Sequence, residues 1–235
     1  MRYADIERAL WGTGLICRGG FHPGPDDAVP EPSGIVNSVV IVGNAGGAMW
    51  AAFSRSLEYE AAAPGDHPLN AWTERTLGDI AARLGCDVVF PFGGPPYHPF
   101  QQWAQRADSV FTSPIGPLIH GVYGLWHAYR GAFLIGESIA LPRPAFAERP
   151  CDTCKDRPCL ASCPVDAFGG HGYDVPRCVD HIGGVGGSEC IDYGCAARRA
   201  CPVGQVYTYQ PDQAAFHQRH FLRTNRTSDD REPGF

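Results

Sequence analysis

Eight of the ten cysteines of this 235-residue chain fall within one segment, between Cys151 and Cys201. They form two runs, and each run ends in a Cys-Pro pair, at Cys163-Pro164 and Cys201-Pro202. The segment is rich in glycine and proline and has little apolar periodicity, so a domain of this size cannot fold on hydrophobic burial alone. We therefore expect bound metal to hold this segment together, and this requirement is the strongest constraint that the sequence places on the fold.

The spacing of these cysteines is typical of two iron–sulfur clusters. The first run reads Cys151-x2-Cys154-x4-Cys159-x3-Cys163, and the second places Cys178 ahead of Cys190-x4-Cys195-x5-Cys201. In proteins with two clusters, the cysteine before proline in each run ligates the cluster of the other run. This rule predicts two 4Fe–4S clusters with the following ligands: Cys151, Cys154, Cys159 and Cys201 for one, and Cys163, Cys178, Cys190 and Cys195 for the other.

Other uses of the cysteines stay open at this stage. A Cys-x2-Cys pair also permits zinc, so two zinc sites with four cysteines each are the structural alternative. Disulfides are less favoured, because no targeting signal and no run of eighteen apolar residues is present. We expect a cytoplasmic protein without a membrane span, in which thiols stay reduced. Cys17 and Cys86 lie outside the segment and are expected to be small buried apolar residues.

The charge of the chain bears on its partners. The formal net charge is −6 at pH 7, and oxidised clusters with their thiolates would make the protein more acidic. A surface that follows nucleic-acid phosphates needs the opposite sign. We therefore expect no nucleic-acid partner, and a redox partner protein is the partner that the cysteines predict.

The chain before the cysteines has the apolar patterning of a globular α+β domain. Helices are predicted at 3–15, 48–60, 70–84 and 101–107, and strands at 35–42, at 86–92 and, as two strands with a turn, at 115–135. A turn at Arg18-Gly19-Gly20 is expected to end the first helix. The proline-rich stretch after Pro142 is a linker in composition. We predict a domain at 1–148, a cluster module at 149–210, and a C-terminal helix and tail at 211–235.

Aromatic and glycine residues surround several histidines of the first domain. His98, His120 and His127 have surroundings that suit a flat cofactor, although a hydrogen-bonded core histidine is the more frequent case. The same aromatic rings could instead fill the core between two strands and a helix. Residues 43–47, rich in glycine, follow a predicted strand, where backbone N–H groups could cradle a phosphate. A plain tight turn is the alternative there.

Two segments resemble known protein families. The cysteine order at 151–202, with ASCPVDAF around Cys163 and with Arg177-Cys178 after Tyr173-Asp174, is similar to the cluster module of epoxyqueuosine reductases and reductive dehalogenases. Residues 116–142, GPLIHGVYGLWHAYRGAFLIGESIALP, resemble a segment of those enzymes and of the CblC-type cobalamin-processing proteins. This chain has Gly121-Val122 after Ile-His, where those reductases have Pro-Arg, so the resemblance assigns no proton donor.

The resemblance implies a fold and a cofactor. It implies an α+β chain in which a nitroreductase-like N-terminal domain, a mixed sheet with flanking helices, precedes a two-cluster ferredoxin-like module. It also implies a corrinoid such as cobalamin, with these cofactor-binding residues: His98, His120, Tyr123, Trp126 and Arg130. The implied function is electron transfer in a corrinoid-dependent reductase. A ferredoxin-like shuttle without its own substrate and a cobalamin-trafficking chaperone are the alternatives, so whether the chain is an enzyme stays open.

Overall fold

The structure, a computed structural model, describes residues 1–144, 148–170 and 172–229. Helices and antiparallel sheets are both present, in agreement with the predicted α+β class. The chain forms two compact units. The first unit comprises Met1–Val110 and His127–Ala147, and the second comprises Phe111–Trp126 and Glu148–Phe235. The second unit thus takes in a segment that precedes the cysteine-rich sequence.

A four-stranded sheet with the strand order β1-β2-β6-β3 forms the centre of the first unit. Its strands are β1 (Ile16–Phe21), β2 (Ser38–Ala45), β3 (Asp87–Val89) and β6 (His127–Ile135). β2 is rich in Val and Ile and is buried along seven of its eight residues, as its continuous apolar run predicts. β2 and β3 are connected through helices, which suggests a parallel pair. However, β6 lies between them and pairs antiparallel with both, so the predicted mixed sheet is wrong.

Five helices accompany this sheet in the described part of the first unit: α1 (Tyr3–Ala9), α2 (Ala48–Phe53), α3 (Leu57–Glu60), α4 (Pro68–Leu84) and α5 (Phe100–Ala107). α4 begins at Pro68, whose missing N–H costs nothing in a first turn, and ends at Gly85 in the left-handed region. Trp103 of α5 is fully buried and donates its indole N–H to the Asp27 carbonyl at 2.7 Å. α5 therefore packs on the sheet through an aromatic anchor that is also hydrogen-bonded.

The start of the chain differs from the prediction. The first helix ends at Ala9, and β1 occupies the residues at which a turn was predicted. The pairing register of β1 with β2 shifts between Cys17 and Gly20, and Gly19 has φ +79°. A Cβ on Gly19 would lie 1.9 Å from the Ala107 carbonyl oxygen, so only glycine fits there. The glycine pair is thus a bulge inside a strand rather than a turn.

The remaining elements are short, and most belong to the second unit: β4 (Val110–Thr112), β5 (Leu118–His120), α6 (Pro150–Thr153), α7 (Pro158–Ala161), β7 (Phe168–Gly169), β8 (Gly172–Tyr173), α8 (Val175–Gly183), α9 (Ser188–Tyr193), α10 (Ala196–Arg199) and α11 (Pro211–Asp229). β4 pairs with β5, and β7 pairs with β8. β5 and β6, predicted as two strands with a turn between them, therefore join different sheets. No helix within the described ranges is long and apolar enough to cross a membrane.

Candidate metal centre

The first set of cysteines surrounds a small cavity in the second unit. Cys151 lies in α6, Cys154 follows that helix, Cys159 lies in α7, and Cys201 follows α10. All four line one cavity of about 20 Å³ with apolar walls. The structure thus brings together the three cysteines of the first run and the Cys-Pro cysteine of the second run.

An apolar cluster closes around this set. Ile119 of β5 lines the same cavity, and it packs with Ile115, Leu125, Cys159 and Cys201 in one buried cluster. This packing explains why residues 111–126 belong to the cysteine-rich unit. Burial raises the pKa of the Cys159 and Cys201 thiols, and neighbouring thiols raise it further. Such thiols ionise more readily when they bind a metal, because the metal charge stabilises the thiolate.

In the second set, Cys178 lies in α8 and Cys190 lies in α9. Cys163 follows α7, and Cys195 directly precedes α10. Burial raises the pKa of the Cys178 thiol, and the adjacent Cys163 and Cys190 thiols raise it too. Burial likewise raises the pKa of Cys195, with a further contribution from Cys190 and Cys178. These interactions place Cys163, from the first run, among the cysteines of the second run. The assignment of these thiols to one cluster stays a prediction.

Backbone amides point at several of the sulfur atoms. The Ala167 N–H donates to Cys163 Sγ at 3.3 Å. The backbone amides of Arg198 and Ala197 act on the Cys195 thiol, and they oppose the rise in its pKa that burial causes. N–H donors to sulfur stabilise negative charge, and in iron–sulfur proteins they help to set the reduction potential. The donor set of four thiols with amide donors beside them thus fits an iron–sulfur cluster.

Single-ion sites require a different arrangement. Within residues 1–144, 148–170 and 172–229, no group of three or more His, Cys, Asp or Glu side chains is arranged to hold one metal ion. The ligands of one zinc ion lie about 2.0–2.3 Å from a common point. The four thiolates of a 4Fe–4S cluster instead bind separate iron atoms. Four thiolates that bind a 4Fe–4S cluster therefore lie farther apart than four thiolates that bind one zinc ion.

His120 and Tyr123, two of the predicted cofactor-binding residues, lie in one turn of the second unit. Their rings stack with centroids 4.5 Å apart, and His120 Nδ1 accepts the backbone N–H groups of Val122 and Tyr123 at 3.0 and 3.2 Å. Because Nδ1 accepts both bonds, the proton of the neutral ring is assigned to Nε2. Tyr207 meets Tyr123 edge to face at 5.0 Å. Sequence reasoning missed Tyr207, since nothing in its local pattern links it to this turn.

Trp126, the third of these residues in the second unit, is 2% exposed. It packs against Tyr209, and the Arg198 guanidinium lies 4.6 Å from the ring centroid of each. Arg198 also donates two hydrogen bonds to the Leu125 carbonyl. The Trp126 ring is therefore packed inside its own unit. This is the core role that the sequence offers as the alternative to cofactor binding.

The other two predicted cofactor-binding residues belong to the first unit. Arg130 donates to the Leu69 carbonyl, Asn70 Oδ1 and Thr73 Oγ1 in the first turns of α4. Its guanidinium also lies 5.1 Å from the ring centroid of Phe92. His98 stacks on Trp103 with ring centroids 5.6 Å apart. Each residue is thus engaged with side chains or backbone of the first unit.

His127 and the glycine-rich residues 43–47 both serve the packing of the first unit. His127, at the start of β6, is buried and meets the Tyr129 ring edge to face at 5.7 Å. Gly43 lies inside β2, where a Cβ would approach the Ala128 carbonyl oxygen at 2.2 Å. The helix that follows, α2, has only six residues. The glycines at 43–47 thus serve close strand packing and a turn into a short helix.

Sequence reasoning also missed a buried ion pair in the first unit. Arg18 is 3% exposed and pairs with Asp108, with its Nη2 2.6 Å from Oδ2. The Tyr129 hydroxyl donates to the same carboxylate at 3.2 Å, and burial raises the pKa of that hydroxyl above its usual range. A buried charge is costly unless it is paired and hydrogen-bonded, and these contacts meet that requirement. Nothing in the local sequence around Arg18 indicates its burial.

Comparisons with known proteins gave structural neighbours only. No family model and no curated protein matches the chain. Three similar solved structures are an epoxyqueuosine reductase with a tRNA-Tyr stem loop (17% identity, TM-score 0.49, 86% of this chain and 65% of that chain), an epoxyqueuosine reductase from Streptococcus thermophilus (16%, 0.47, 76% and 53%), and a B12-trafficking protein CblC from C. elegans (14%, 0.49, 94% and 95%). The chain spans about half to two thirds of those reductases. These neighbours are the same kinds of protein that the sequence resemblance names.

Proposed function

We propose that this protein is an iron–sulfur electron-transfer protein with two 4Fe–4S clusters. One observation carries the proposal: Cys201, the Cys-Pro cysteine of the second run, lines one cavity with Cys151, Cys154 and Cys159 of the first run. The electrostatic interaction of Cys163 with Cys178 supports the second set. The proposed ligands are Cys151, Cys154, Cys159 and Cys201 for the first cluster, and Cys163, Cys178, Cys190 and Cys195 for the second. A bound cluster supplies one-electron transfer at a potential that its surroundings adjust.

The residues of the chain would perform three tasks around the clusters. The thiolates hold the iron, while the apolar residues around Ile119 and Leu125 keep water from the first set. Burial disfavours added negative charge on a cluster and so lowers its potential, whereas N–H donors such as Ala167 favour that charge. The short helices α6 and α7 begin with proline next to a cysteine, which fixes the backbone φ close to the ligands.

We propose further that the clusters serve a corrinoid-dependent reduction, with His120 and Tyr123 of the second unit as cofactor-binding residues. The sequence resemblance at 116–142 supports this. A contact inside the second unit supports it as well: Gly124, which ends the His120–Tyr123 turn, packs against the backbone of Val203 and Gly204. These residues directly follow Cys201-Pro202. When bound, a corrinoid supplies a redox-active cobalt centre.

Iron and acid-labile sulfide analysis of anaerobically purified protein tests the cluster proposal. We expect about eight irons and eight sulfides per chain. The control is Cys86→Ala, which removes a cysteine outside both sets and should leave both contents unchanged. Cys154→Ala should remove about half of the iron. Roughly two zinc ions per chain without sulfide would contradict the proposal and favour the zinc alternative.

Titration of the reduced holoprotein with cobalamin tests the corrinoid part separately. We expect a change in the cobalamin spectrum that saturates at one equivalent, and His120→Ala should weaken it. Binding with no reductive turnover of any substrate would favour the trafficking role. Intact clusters without cobalamin binding would contradict the corrinoid part and favour the electron-shuttle alternative.

A further inference from the structure

The second unit contains a cavity of about 430 Å³ beside one of the proposed cluster ligands. Cys190, a buried residue of the second set, forms part of its wall. Four other lining residues are small or flat: Pro164, Gly186, Ala196 and Ala200. Small-molecule sites have volumes of about 300–1,000 Å³, whereas the cavity of the first set, at about 20 Å³, has room for about one water molecule. A ligand in the larger cavity would therefore lie directly against a cysteine of the second set.

Polar side chains with fixed positions also line this cavity. Arg199 donates from Nη2 to Glu189 Oε1 at 2.6 Å and from Nε to the Gly194 carbonyl at 3.2 Å. The Ser162 hydroxyl donates to the Pro158 carbonyl at 2.8 Å. These bonds hold the guanidinium and the hydroxyl in place before a ligand binds, which reduces the entropy lost on binding.

The loop between α8 and α9 supplies a wall of bare backbone. A Cβ on Gly187 would lie 2.3 Å from the His181 carbonyl oxygen, so the loop can fold against α8 only with glycine there. Gly186 lines the cavity, and an added Cβ would lie 3.8 Å from His181 Cε1. Walls of glycine, alanine and proline allow a planar ring to approach closely, whereas branched side chains would hold it away. The lining therefore favours a planar ligand with polar edges.

We propose that this cavity binds a free flavin, which passes electrons to the second cluster when it is reduced. This inference rests on the proposed function, because it requires a cluster that Cys190 helps to hold. A cluster accepts electrons singly, which suits a flavin, since flavins carry out one-electron chemistry as well as hydride transfer. The reduced flavin loses two electrons in all, the two oxidised clusters gain one each, and the flavin protons pass to water.

Equilibrium dialysis of the oxidised, anaerobic holoprotein against flavin mononucleotide measures binding without turnover. We expect about one flavin per chain at saturation. Ala200→Leu places a larger side chain in the cavity and should weaken binding about tenfold or more, because overpacking costs about 1–3 kcal/mol. Ala161→Leu is the matched control with the same chemical change. Ala161 lies in α7, is exposed, and is not among the described residues that line the cavity.

The second readout is the rate at which photoreduced flavin mononucleotide bleaches the visible absorbance of the clusters. In the wild type and in Ala161→Leu this rate should saturate as the flavin concentration rises. At a flavin concentration below saturation, it should fall about tenfold in Ala200→Leu. Iron and sulfide are measured in every variant. If Ala200→Leu lacks iron, Gly186→Val replaces it, because it narrows the same cavity from the glycine loop.

Three results would contradict the inference while leaving the clusters in place. They are a wild-type holoprotein that contains iron and sulfide but binds no flavin, an affinity of Ala200→Leu equal to that of the wild type, and an equal loss of affinity in Ala161→Leu. A wild-type protein without iron and sulfide would instead contradict the proposed function.

Discussion

Gly124 joins the His120–Tyr123 turn to the chain that follows the last cysteine, and replacing it tests how closely these two segments must pack. Its φ is +57°, and a Cβ there would lie 1.9 Å from the Val203 carbonyl oxygen. Both the conformation and the space therefore require glycine. Gly121 begins the same turn, yet it has no heavy atom within 4 Å of an added Cβ. Gly121→Ala is thus a matched control with the same chemical change.

The cost of Gly124→Ala has two parts. A left-handed backbone with a Cβ costs about 1–2 kcal/mol. Forcing one more carbon into packed backbone costs about 1–3 kcal/mol, since neither Val203 nor Gly204 can rotate away as a flexible side chain could. The free energy of unfolding should therefore fall by about 2–5 kcal/mol, a large share of the stability of an ordinary domain. Gly121→Ala should change it by less than about 0.5 kcal/mol.

Denaturant unfolding of the anaerobic holoprotein, followed by circular dichroism and by the visible absorbance of the clusters, measures this difference. Gly124→Ala should unfold at a lower denaturant concentration than Gly121→Ala. The proposed first cluster should also be lost before the proposed second one, because Val203 lines the cavity of the first set of cysteines. Equal midpoints for the two variants would refute the reasoning, since they would mean that the turn and the Val203 segment do not pack closely.

Three further predictions concern the first unit. Partial burial raises the pKa of the Cys86 thiol to about 11, so iodoacetamide at pH 8 should alkylate it slowly until the protein is denatured. Equally fast alkylation of the native and the denatured protein would contradict this prediction. Arg75 lowers the pKa of the Glu58 carboxyl to about 2, so their pairing stabilises the fold above the usual carboxyl pKa and is lost as the pH falls towards 2. The stability difference between wild type and Glu58→Gln should therefore be larger at pH 7 than at pH 2.5, and a difference that grows on acidification would contradict this sign. Arg130→Ala should lower the free energy of unfolding by about 1–3 kcal/mol through its lost bonds to α4, and Arg130→Lys should restore only part of it because lysine lacks the planar fork.

The features that the sequence predicts correctly are those that depend on local pattern. The apolar run of β2 and the periodic pattern of α4 predict elements that the structure contains within a few residues. These signals suffice because each is contained in a few neighbouring residues. The two ligand sets, in contrast, stay a prediction from spacing and from the proline after Cys163 and Cys201. The chemical identity of the bound group stays a prediction.

The features that the sequence does not predict depend on distant partners. β1 contains Gly19-Gly20, which is typical of a turn, and only its pairing with β2 makes the segment a strand. β5 and β6 are close in sequence, but each finds a different sheet. Trp126 has the composition of a cofactor platform around it, whereas the structure surrounds it with Tyr209 and Arg198 from a remote part of the chain. Long-range packing decides such cases, and it overrides local preference.

The most direct test of the central claim is the loss of one cluster at a time. Four single variants are compared by electron paramagnetic resonance of the reduced holoprotein: Cys154→Ala, Cys190→Ala, Cys163→Ala and Cys201→Ala. If the Cys-Pro cysteines cross between the runs, Cys201→Ala should lose the same signal as Cys154→Ala, and Cys163→Ala the same signal as Cys190→Ala. A spectrum of Cys201→Ala that matches Cys190→Ala would contradict the two proposed ligand sets.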